Sequence, residues 1–396
     1  MANILYVWEL GGGYGHIGKI FYIGRYLEQQ GHRVSYPVRD LPRAHALNPH
    51  QNQLLQAPLF LRRGVPLPMA LNYSDVLLRC GFADPTALGG LIRGWRQLFE
   101  LAKPDVVLFD HAPAAMLAAT TLGIPGFNIG TGFTVPQHDL DPMPSLQPWK
   151  QIDHQALQQK DSAVLQSINQ VLGSFKLEPW QRVNQLFSSS SSLLLAWPEI
   201  DHYPARGGDD YLGPVLESQD GRVIDAWAGS PLPRIFIYLS ATYKPGRRLF
   251  NLLRGQPYCI LTHMRDNATP GADVVQQDNL YLSARPLDLN QVMPHVDLVI
   301  THGGQTTTAL TLLSGKPMLL LPQHLEQAIL SYRLRQQGLA TSLWAPNDET
   351  DWIRIVKSAL DNPVIKNNLA NFRQRYQTYD SAQTASSVVQ TINNIL

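Results

Sequence analysis

Two histidines beside glycines are the residues of this sequence best suited to chemistry. His16 lies in a glycine-rich stretch that follows an apolar run, and His302 is followed by Gly303 and Gly304. Glycine permits positive φ angles and a close backbone approach to a bound molecule. Histidine titrates near neutral pH and can accept a proton there. His16 is therefore a candidate general base; the alternative is a helix-start histidine that only bonds a backbone carbonyl.

Asp110 is predicted to lie beside His16. It ends the apolar run at residues 105–110, and residues that follow neighbouring strands of a parallel sheet meet at one edge. A carboxylate that holds a histidine fixes its tautomer and stabilises the imidazolium. The alternative is an Asp110 that caps the next helix. His111 is expected to be structural, because an alanine-rich helix follows it directly.

Residues 299–308 carry the strongest indication of an anion site. An apolar run leads into His302, the glycine pair and three threonines at 306–308. Backbone N–H groups at a helix N-terminus, together with hydroxyls and a histidine, suit a diphosphate. A glycine turn with threonine caps is the alternative, but the combination of these residues favours a phosphate site.

A dinucleotide fingerprint is also present in the first glycine-rich stretch. Residues 13–18 match GxGxxG between a predicted strand and a predicted helix, within a predicted loop 11–18 whose glycines permit positive φ angles. The fingerprint requires an acid at the end of the second strand, whereas Arg39 and Asp40 occur there together. An NAD-dependent oxidoreductase remains an alternative at this stage.

The fold class is predicted from apolar, β-branched runs that alternate with amphipathic stretches, a pattern typical of α/β proteins with parallel sheets. Two Rossmann-like sheets are expected, with strands at residues 3–8, 32–38, 105–110 and 124–129, and at residues 234–239, 258–262, 279–282, 296–301 and 317–321. The serine run at 188–192 is interpreted as low-complexity sequence. Residues 216–233 are expected to connect the sheets, and residues 365–396 to form a helical tail.

Composition limits the classes of function. A chain of 396 residues with 44% hydrophobic and 16% charged residues suits two domains with large cores. Because 32 basic residues nearly balance 31 acidic ones, no nucleic-acid partner is expected. Cys80 and Cys259 indicate neither disulfides nor a zinc site, and no signal peptide or transmembrane segment is predicted. We expect a cytoplasmic protein.

Several motifs in both halves resemble one enzyme family. The C-terminal half contains, in order, His302-Gly303-Gly304 with threonines, Ser314-Gly315-Lys316-Pro317, Leu321-Pro322 and Glu326-Gln327. The N-terminal half contains Gly15-His16 after the first strand, the acid-bearing run 104–110 and Leu122-Gly123-Ile124-Pro125. In these motifs the chain resembles the UDP-glycosyltransferase family, glycosyltransferase family 1, which includes plant and animal enzymes and bacterial antibiotic and macrolide glycosyltransferases.

The resemblance implies the GT-B fold. This is an α/β architecture of two Rossmann-like β/α/β domains that face each other across a cleft, with a C-terminal helix packing back on the N-terminal domain. The implied domains are an acceptor-binding domain at 1–216, a nucleotide-sugar donor domain at 217–375 and the returning helix at 376–396.

The resemblance also implies an inverting hexosyltransferase that acts in natural-product glycosylation. His16 would take a proton from the acceptor hydroxyl and Asp110 would support it. Neither a cofactor nor a metal is implied, since the UDP- or dTDP-sugar is a co-substrate. The donor would be bound by Gly15, Thr242, Arg285, Leu287, His302, Gly303, Gly304, Thr306, Thr307, Glu326 and Gln327.

The sequence departs from the family in two places. Leu310 stands where many members carry an acid that holds the ribose, and residues 284–287 lack the usual Trp and Pro-Gln pair beside the base. Arg285 can replace a stacking ring, or can be a solvated loop residue. The choice between UDP and dTDP stays open here.

The acceptor is expected to be small and apolar. Aromatic residues of the regions 42–95 and 131–197 suit such a molecule, with core packing as the alternative: Tyr73, Phe133, Trp149, Trp180 and Trp197. Two further functions remain open from the sequence, a nucleotide-sugar epimerase of the same fold and a binding protein without catalysis. The pair of His16 and Asp110 favours the transferase over the second.

Overall fold

The computed structural model describes residues 1–12, 14–48, 52–61, 67–204, 206, 211–216, 224–263, 274–283 and 287–396. The chain forms two compact units, residues 1–215 with 380–396 and residues 216–379. None of the helices in these described ranges is both long enough and apolar enough to cross a bilayer. The assignment of acceptor and donor roles to the two halves stays a prediction.

The first unit contains a six-stranded sheet in the order β3-β2-β1-β4-β5-β6. Every pair of neighbouring strands is parallel. The strands are β1 (Asn3–Trp8), β2 (Arg33–Val38), β3 (Gln53–Gln56), β4 (Val106–Asp110), β5 (Gly126–Gly130) and β6 (Ser191–Leu194). Sequence analysis missed β3 and assigned the start of β6 to low-complexity sequence. Residues 191–194 form a strand because pairing with β5 satisfies the hydrogen bonds of their backbone and buries Leu193 and Leu194.

Helices cover this sheet. They are α1 (Tyr14–Gln29), α2 (Leu41–Ala46), α3 (Tyr73–Leu77), α4 (Pro85–Ala102), α5 (Pro113–Leu122), α6 (His154–Ser174) and α7 (Gln185–Ser188). A π-type turn at Leu78–Phe82 follows α3, and a 3-10 turn occupies Pro198–Ile200. In α4, Asp84 caps the N-terminus, and Leu88, Ile92, Trp95 and Phe99 are buried at helical spacing.

The C-terminal helix α15 (Ser381–Asn393) belongs to the first unit. Its Val388 and Ile392 share a core cluster with Ile20 of α1. The Thr384 hydroxyl donates to the Leu212 carbonyl at 2.7 Å. The predicted return of the C-terminal helix to the N-terminal domain is thereby confirmed.

The second unit contains a seven-stranded sheet in the order β13-β12-β11-β7-β8-β10-β9. All pairs are parallel except the antiparallel pair of β9 and β10. The strands are β7 (Arg234–Tyr238), β8 (Cys259–His263), β9 (Val274–Gln277), β10 (Leu280–Ser283), β11 (Leu298–Thr301), β12 (Met318–Leu320) and β13 (Thr341–Ser342). The edge strands β9 and β13 were not predicted, since each is short and needs its neighbour to form.

The helices of the second unit follow the alternating pattern. They are α8 (Asp225–Ala228), α9 (Lys244–Leu253), α10 (Leu289–Val292), α11 (Gln305–Leu313), α12 (Leu325–Gln336), α13 (Trp352–Asp361) and α14 (Pro363–Arg375), with a 3-10 turn at Met293–His295. Trp352 and Val356 of α13 and Leu249 of α9 pack with Ile235 and Ile300 of the sheet. Two parallel α/β units, as predicted, are confirmed.

Candidate active site

The first candidate site lies at the carboxyl ends of β1 and β4, which are neighbours in the sheet. Trp8 pairs with Asp110 in the parallel register, so the chain leaves both strands at the same level. Helix α1 begins at Tyr14, which places His16 in its first turn. Gly15 and Gly18 therefore lie inside this helix and not in the predicted loop 11–18, because the helical hydrogen bonds begin earlier than the glycines suggest. Residue 13 lies outside the described residues.

His16 contacts a buried carboxylate. Its Nδ1 lies 3.1 Å from Oδ1 of Asp110, and the Asp110 side chain is fully buried. The Nζ of Lys19 lies 2.9 Å from the other carboxylate oxygen, with the lysine side chain only 10% exposed. Burial favours a higher pKa for Asp110, but the charges of Lys19 and His16 outweigh it and lower the pKa to about 2. Asp110 is therefore ionised at neutral pH.

Lys19 was missed by sequence analysis. It lies three residues after His16, so both side chains emerge from one face of α1. That spacing was a signal, but a lysine in a first turn is ordinary without knowledge of Asp110 opposite. The structure thus places the fully buried Asp110 carboxylate between two partly buried groups, His16 and Lys19.

The second ring nitrogen of His16 faces the backbone of Gly11. In the neutral tautomer that donates from Nδ1 to Asp110, Nε2 carries a lone pair. Gly11 has φ of 83°, and a Cβ there would lie 2.7 Å from Nε2 of His16. The ring of Trp8 stacks on the imidazole at 5.3 Å between centroids. Gly11 thus leaves room at the nitrogen that a base would use.

His111 and Glu9 complete this strand edge. His111 adopts φ of 49°, its carbonyl accepts from the Leu10 N–H at 2.9 Å, and burial lowers its pKa to about 3. The Glu9 carboxyl accepts from the N–H groups of Ala114 and Ala115 at 3.0 and 3.1 Å, and burial raises its pKa to about 8. These hydrogen bonds join the turn after β1 to the turn after β4.

Aromatic rings extend from this edge. The rings of Tyr73 and Phe133 lie 6.1 and 5.9 Å from that of His111, which itself lies 6.2 Å from the ring of His16. Trp180, by contrast, packs against the hydrophobic core beneath the sheet. Trp197 is buried and Trp149 half-buried. Of the five aromatic residues predicted for the acceptor, Tyr73 and Phe133 are thus placed beside the histidines.

In the second unit, His302 follows β11 and is fixed by the two neighbouring strands. Its Nδ1 donates to the Leu321 carbonyl at 2.8 Å, after β12, and its Nε2 accepts from the Ser240 N–H at 2.8 Å, after β7. The ring is buried and packs edge-on against Tyr243. In this arrangement His302 organises the loop that carries Ser240 and Thr242.

Potential anion donors surround this histidine. Gly303 has φ of 86° and packs so closely on α12 that a Cβ would lie 3.0 Å from the Ser331 hydroxyl. Gly304 then precedes α11, whose first turn includes Thr306 and Thr307. The first amides of a helix lack intrahelical acceptors, so they point at whatever binds there.

Other residues predicted to bind the donor follow further parallel strands of the second unit's sheet. Thr242 follows β7, and its hydroxyl lies 2.9 Å from that of Ser240. Glu326 and Gln327 lie in the first turn of α12, where the side-chain Oε1 of Gln327 accepts from the Gln323 N–H at 2.9 Å. Leu287 is buried after β10, whereas Arg285 lies outside the described residues. The carboxyl edge thus brings together the loops predicted to bind the donor.

Leu310 stands at the position where many members of the family carry an acid that holds the ribose. Leu310 is buried within α11, as a leucine at a core position should be. Its side chain offers no hydrogen bond to a ribose hydroxyl.

Comparisons with known proteins give a consistent result. No family model matches the chain. A PGL/p-HBAD biosynthesis glycosyltransferase of Mycobacterium tuberculosis is 24% identical over 378 residues, 86% of this chain and 84% of that protein. A zeaxanthin glucosyltransferase of Pseudescherichia vulneris is 22% identical over 311 residues, 74% of this chain and 75% of the relative.

Solved structures match over the whole chain. The calicheamicin glycosyltransferase CalG4 has a TM-score of 0.68 and 15% identity, covering 100% of this chain and 98% of that one. The glycosyltransferase VinC, solved in complex with DTDP, has a TM-score of 0.63 and 14% identity, covering 97% and 99%. Together, the two α/β units, the structural matches and the sequence relatives identify the chain as a glycosyltransferase of the GT-B fold.

Proposed function

We propose that this chain transfers a hexose from a UDP- or dTDP-sugar to a hydroxyl group of a small, apolar natural product, with inversion at the anomeric carbon. The observation that carries the proposal is the contact of His16 Nδ1 with the ionised Asp110 at 3.1 Å. This contact leaves Nε2 of His16 as a base beside the bare backbone of Gly11.

In the proposed reaction, Nε2 of His16 removes the proton of the acceptor hydroxyl. The resulting oxygen attacks the anomeric carbon from the side opposite the nucleoside diphosphate, and the carbon–oxygen bond to the diphosphate breaks. Asp110 stabilises the imidazolium that forms, since its carboxylate stays ionised. Positioned general bases contribute about 10²- to 10⁴-fold to a rate.

We propose that the departing diphosphate is held by the start of α11. The first amides of this helix, with the hydroxyls of Thr306, Thr307 and Thr242, supply fixed donors where negative charge develops. His302 supports this site by fixing Ser240, Gly303 lets the loop pack closely on α12, and a Cβ at Gly304 would meet no atom within 4 Å. No metal enters this mechanism, so chelation with EDTA should leave the rate unchanged.

The remaining donor contacts are proposed from the family resemblance. Glu326 and Gln327 bind hydroxyls of the sugar from the first turn of α12. Leu287 and Arg285 border the base, and Gly15 borders the donor from the first turn of α1. The VinC structure with DTDP favours inclusion of dTDP-sugars among the donors to be tested.

The proposed acceptor is apolar for two reasons. Tyr73 and Phe133 extend an aromatic surface from the histidines. The names of two relatives also refer to zeaxanthin and to PGL/p-HBAD biosynthesis, and the name of one structural neighbour refers to calicheamicin.

The test combines donor binding with transfer. Calorimetry with UDP, dTDP, GDP and NAD is followed by transfer assays on phenolic and polyene alcohols, with product configuration read by NMR. We expect His16→Ala to reduce transfer by about 10²- to 10⁴-fold while donor affinity changes only a few-fold. His45→Ala, at an exposed histidine of α2, is the matched control.

Three results would contradict the proposal. Binding of NAD without binding of UDP or dTDP would return residues 13–18 to their dinucleotide interpretation. A His16→Ala variant that keeps most of its turnover, or a product with retained configuration, would exclude His16 as the base of an inverting transfer.

A further inference from the structure

The groups proposed to hold the diphosphate are electrically neutral. They are the first backbone amides of α11 and the hydroxyls of threonines. His302 adds no donor of its own, because its Nδ1 donates to the Leu321 carbonyl and its Nε2 accepts from the Ser240 N–H. A nucleoside diphosphate is an anion, so a cation beside these loops would strengthen its binding.

Arg247, in the first turn of α9, lies beside one of these loops. Its Nε donates to the Ala241 carbonyl at 2.6 Å. Ala241 lies between Ser240 and Thr242 in the turn after β7, and the hydroxyls of those two residues lie 2.9 Å apart. Because helical side chains tilt towards the helix N-terminus, the guanidinium returns over the turn that precedes α9. The bond from Nε holds it there, and both Nη groups remain as donors.

The turn after β7 adjoins the start of α11. Strands β7 and β11 are parallel neighbours with Tyr238 opposite Thr301, so the chain leaves both strands at the same level. Neighbouring strands lie about 4.8 Å apart. The hydrogen bond from the Ser240 N–H to His302 joins the two loops directly. An anion at the first amides of α11 would therefore lie within reach of a guanidinium that is fixed at Ala241.

No carboxylate within the described ranges of the chain neutralises Arg247. The neighbouring Arg248, by contrast, donates to Asp348 at 2.7 Å. Residues 234–263, from β7 to β8, contain no aspartate or glutamate. Lys244 adds a further positive charge at the start of α9, but no hydrogen bond with a described residue holds its ammonium at the turn. Arg247 is therefore a cation that is both held at this loop and available to an anionic ligand.

We propose that Arg247 binds the diphosphate of the nucleotide-sugar donor. Its Nη groups donate hydrogen bonds to phosphate oxygens while its Nε stays on the Ala241 carbonyl. Its charge also stabilises the negative charge that develops on the diphosphate as the bond to the sugar breaks. This assignment rests on the proposed function, because it adds a side chain to the proposed donor site.

The test is calorimetric binding of UDP and dTDP to the full chain at low and at high salt, without acceptor. Arg247→Gln should weaken binding of each diphosphate that the wild type binds by about 10- to 100-fold, because hydrogen bonds to a charged group are lost. The salt dependence of the affinity should also decrease in this variant, since one charge no longer attracts the ligand. Arg247→Lys keeps the charge, so it should recover part of the affinity and the salt dependence.

The matched controls are Arg248→Gln and Lys244→Gln. Each removes one positive charge from α9, but Arg248 is paired with Asp348, and Lys244 lacks the hydrogen bond that holds Arg247 at the turn. Neither control should weaken diphosphate binding by more than about threefold, because exposed charges that make no contact are screened by salt. All three side chains are exposed, so the variants should fold as the wild type does, which thermal unfolding checks.

Three results would overturn the assignment of Arg247. They are wild-type affinity in Arg247→Gln, a loss of affinity in that variant with unchanged salt dependence, and an equal loss in either control. The second result would give Arg247 a structural role at the turn, and the third would indicate a general effect of charge. Wild-type protein that binds neither UDP nor dTDP would instead contradict the proposed function itself. Binding without sugar transfer would contradict the proposed reaction and leave the test of Arg247 intact.

Discussion

The buried pair of Lys19 and Asp110 makes a strong prediction about stability. The two charged atoms lie 2.9 Å apart, and the carboxylate is fully buried. At an effective dielectric constant of about 20, a pair at this distance attracts by about 6 kcal/mol, a gain that desolvation of both groups largely offsets. Removal of one partner leaves the other charge buried. We therefore expect Lys19→Met to lower the free energy of unfolding by about 3–5 kcal/mol.

A double-mutant cycle isolates this interaction. Asp110→Asn should cost a similar amount because it strands the Lys19 ammonium, whereas Lys19→Met with Asp110→Asn removes both charges. The double variant should then lose at least about 2 kcal/mol less than the sum of the single variants. Urea unfolding at neutral pH, with equal m-values in all four proteins, measures the cycle. Additive losses, within about 0.5 kcal/mol, would refute the assignment of a coupled buried pair.

Acid unfolding provides an independent check on the same pair. The pKa of Asp110 is lowered from 3.8 to about 2, so its stabilising contribution is complete above about 4 and is lost as the pH falls towards 2. Without Lys19 the pKa of Asp110 rises, and the loss should begin at higher pH.

Three further predictions concern the same unit. Gly11→Ala should reduce the rate of transfer at least about 100-fold without weakening donor binding, because a misplaced base loses its alignment with the acceptor. The new Cβ would lie 2.7 Å from His16 Nε2, at a residue whose φ is positive. Gly12→Ala is the control in the transfer assay, because a Cβ there has no atom within 4 Å. Because the pKa of Glu9 is raised from 4.5 to about 8, the stabilising contribution of Glu9 to the wild-type fold is complete below pH 4.5 and is lost as the pH rises towards 8. The Glu9→Gln variant has no such loss, so its free energy of unfolding should rise relative to that of wild type by roughly a few kcal/mol over this range. A difference in urea unfolding that does not change with pH would contradict this prediction. Ile392→Ala should cost about 2–5 kcal/mol in thermal or urea unfolding, because the fully buried side chain joins α15 to the first core, while Ile395→Ala at an exposed position should cost little.

The sequence by itself determined the two parallel α/β units. Apolar runs such as residues 3–8 and 296–301 predict buried strands because both faces of a parallel sheet are covered, and the observed strands are Asn3–Trp8 and Leu298–Thr301. It also singled out His16 and Asp110, although 94 residues separate them. Strand ends of a parallel sheet share one edge, so position after a strand predicts proximity without knowledge of side-chain contacts.

Tertiary structure alone decided the partners of these residues. In the sequence Lys19 is an ordinary helix residue, and only the structure shows Asp110 of β4 opposite it. Similarly, the serine run at 188–192 gives no indication of β6, which forms by pairing with β5. His302 was predicted to hold a phosphate, whereas its two ring nitrogens contact the chain after two other strands. Local sequence specifies which residues can donate, accept or carry charge. Which groups meet depends on long-range packing, because each contact joins segments that only the assembled sheet brings together.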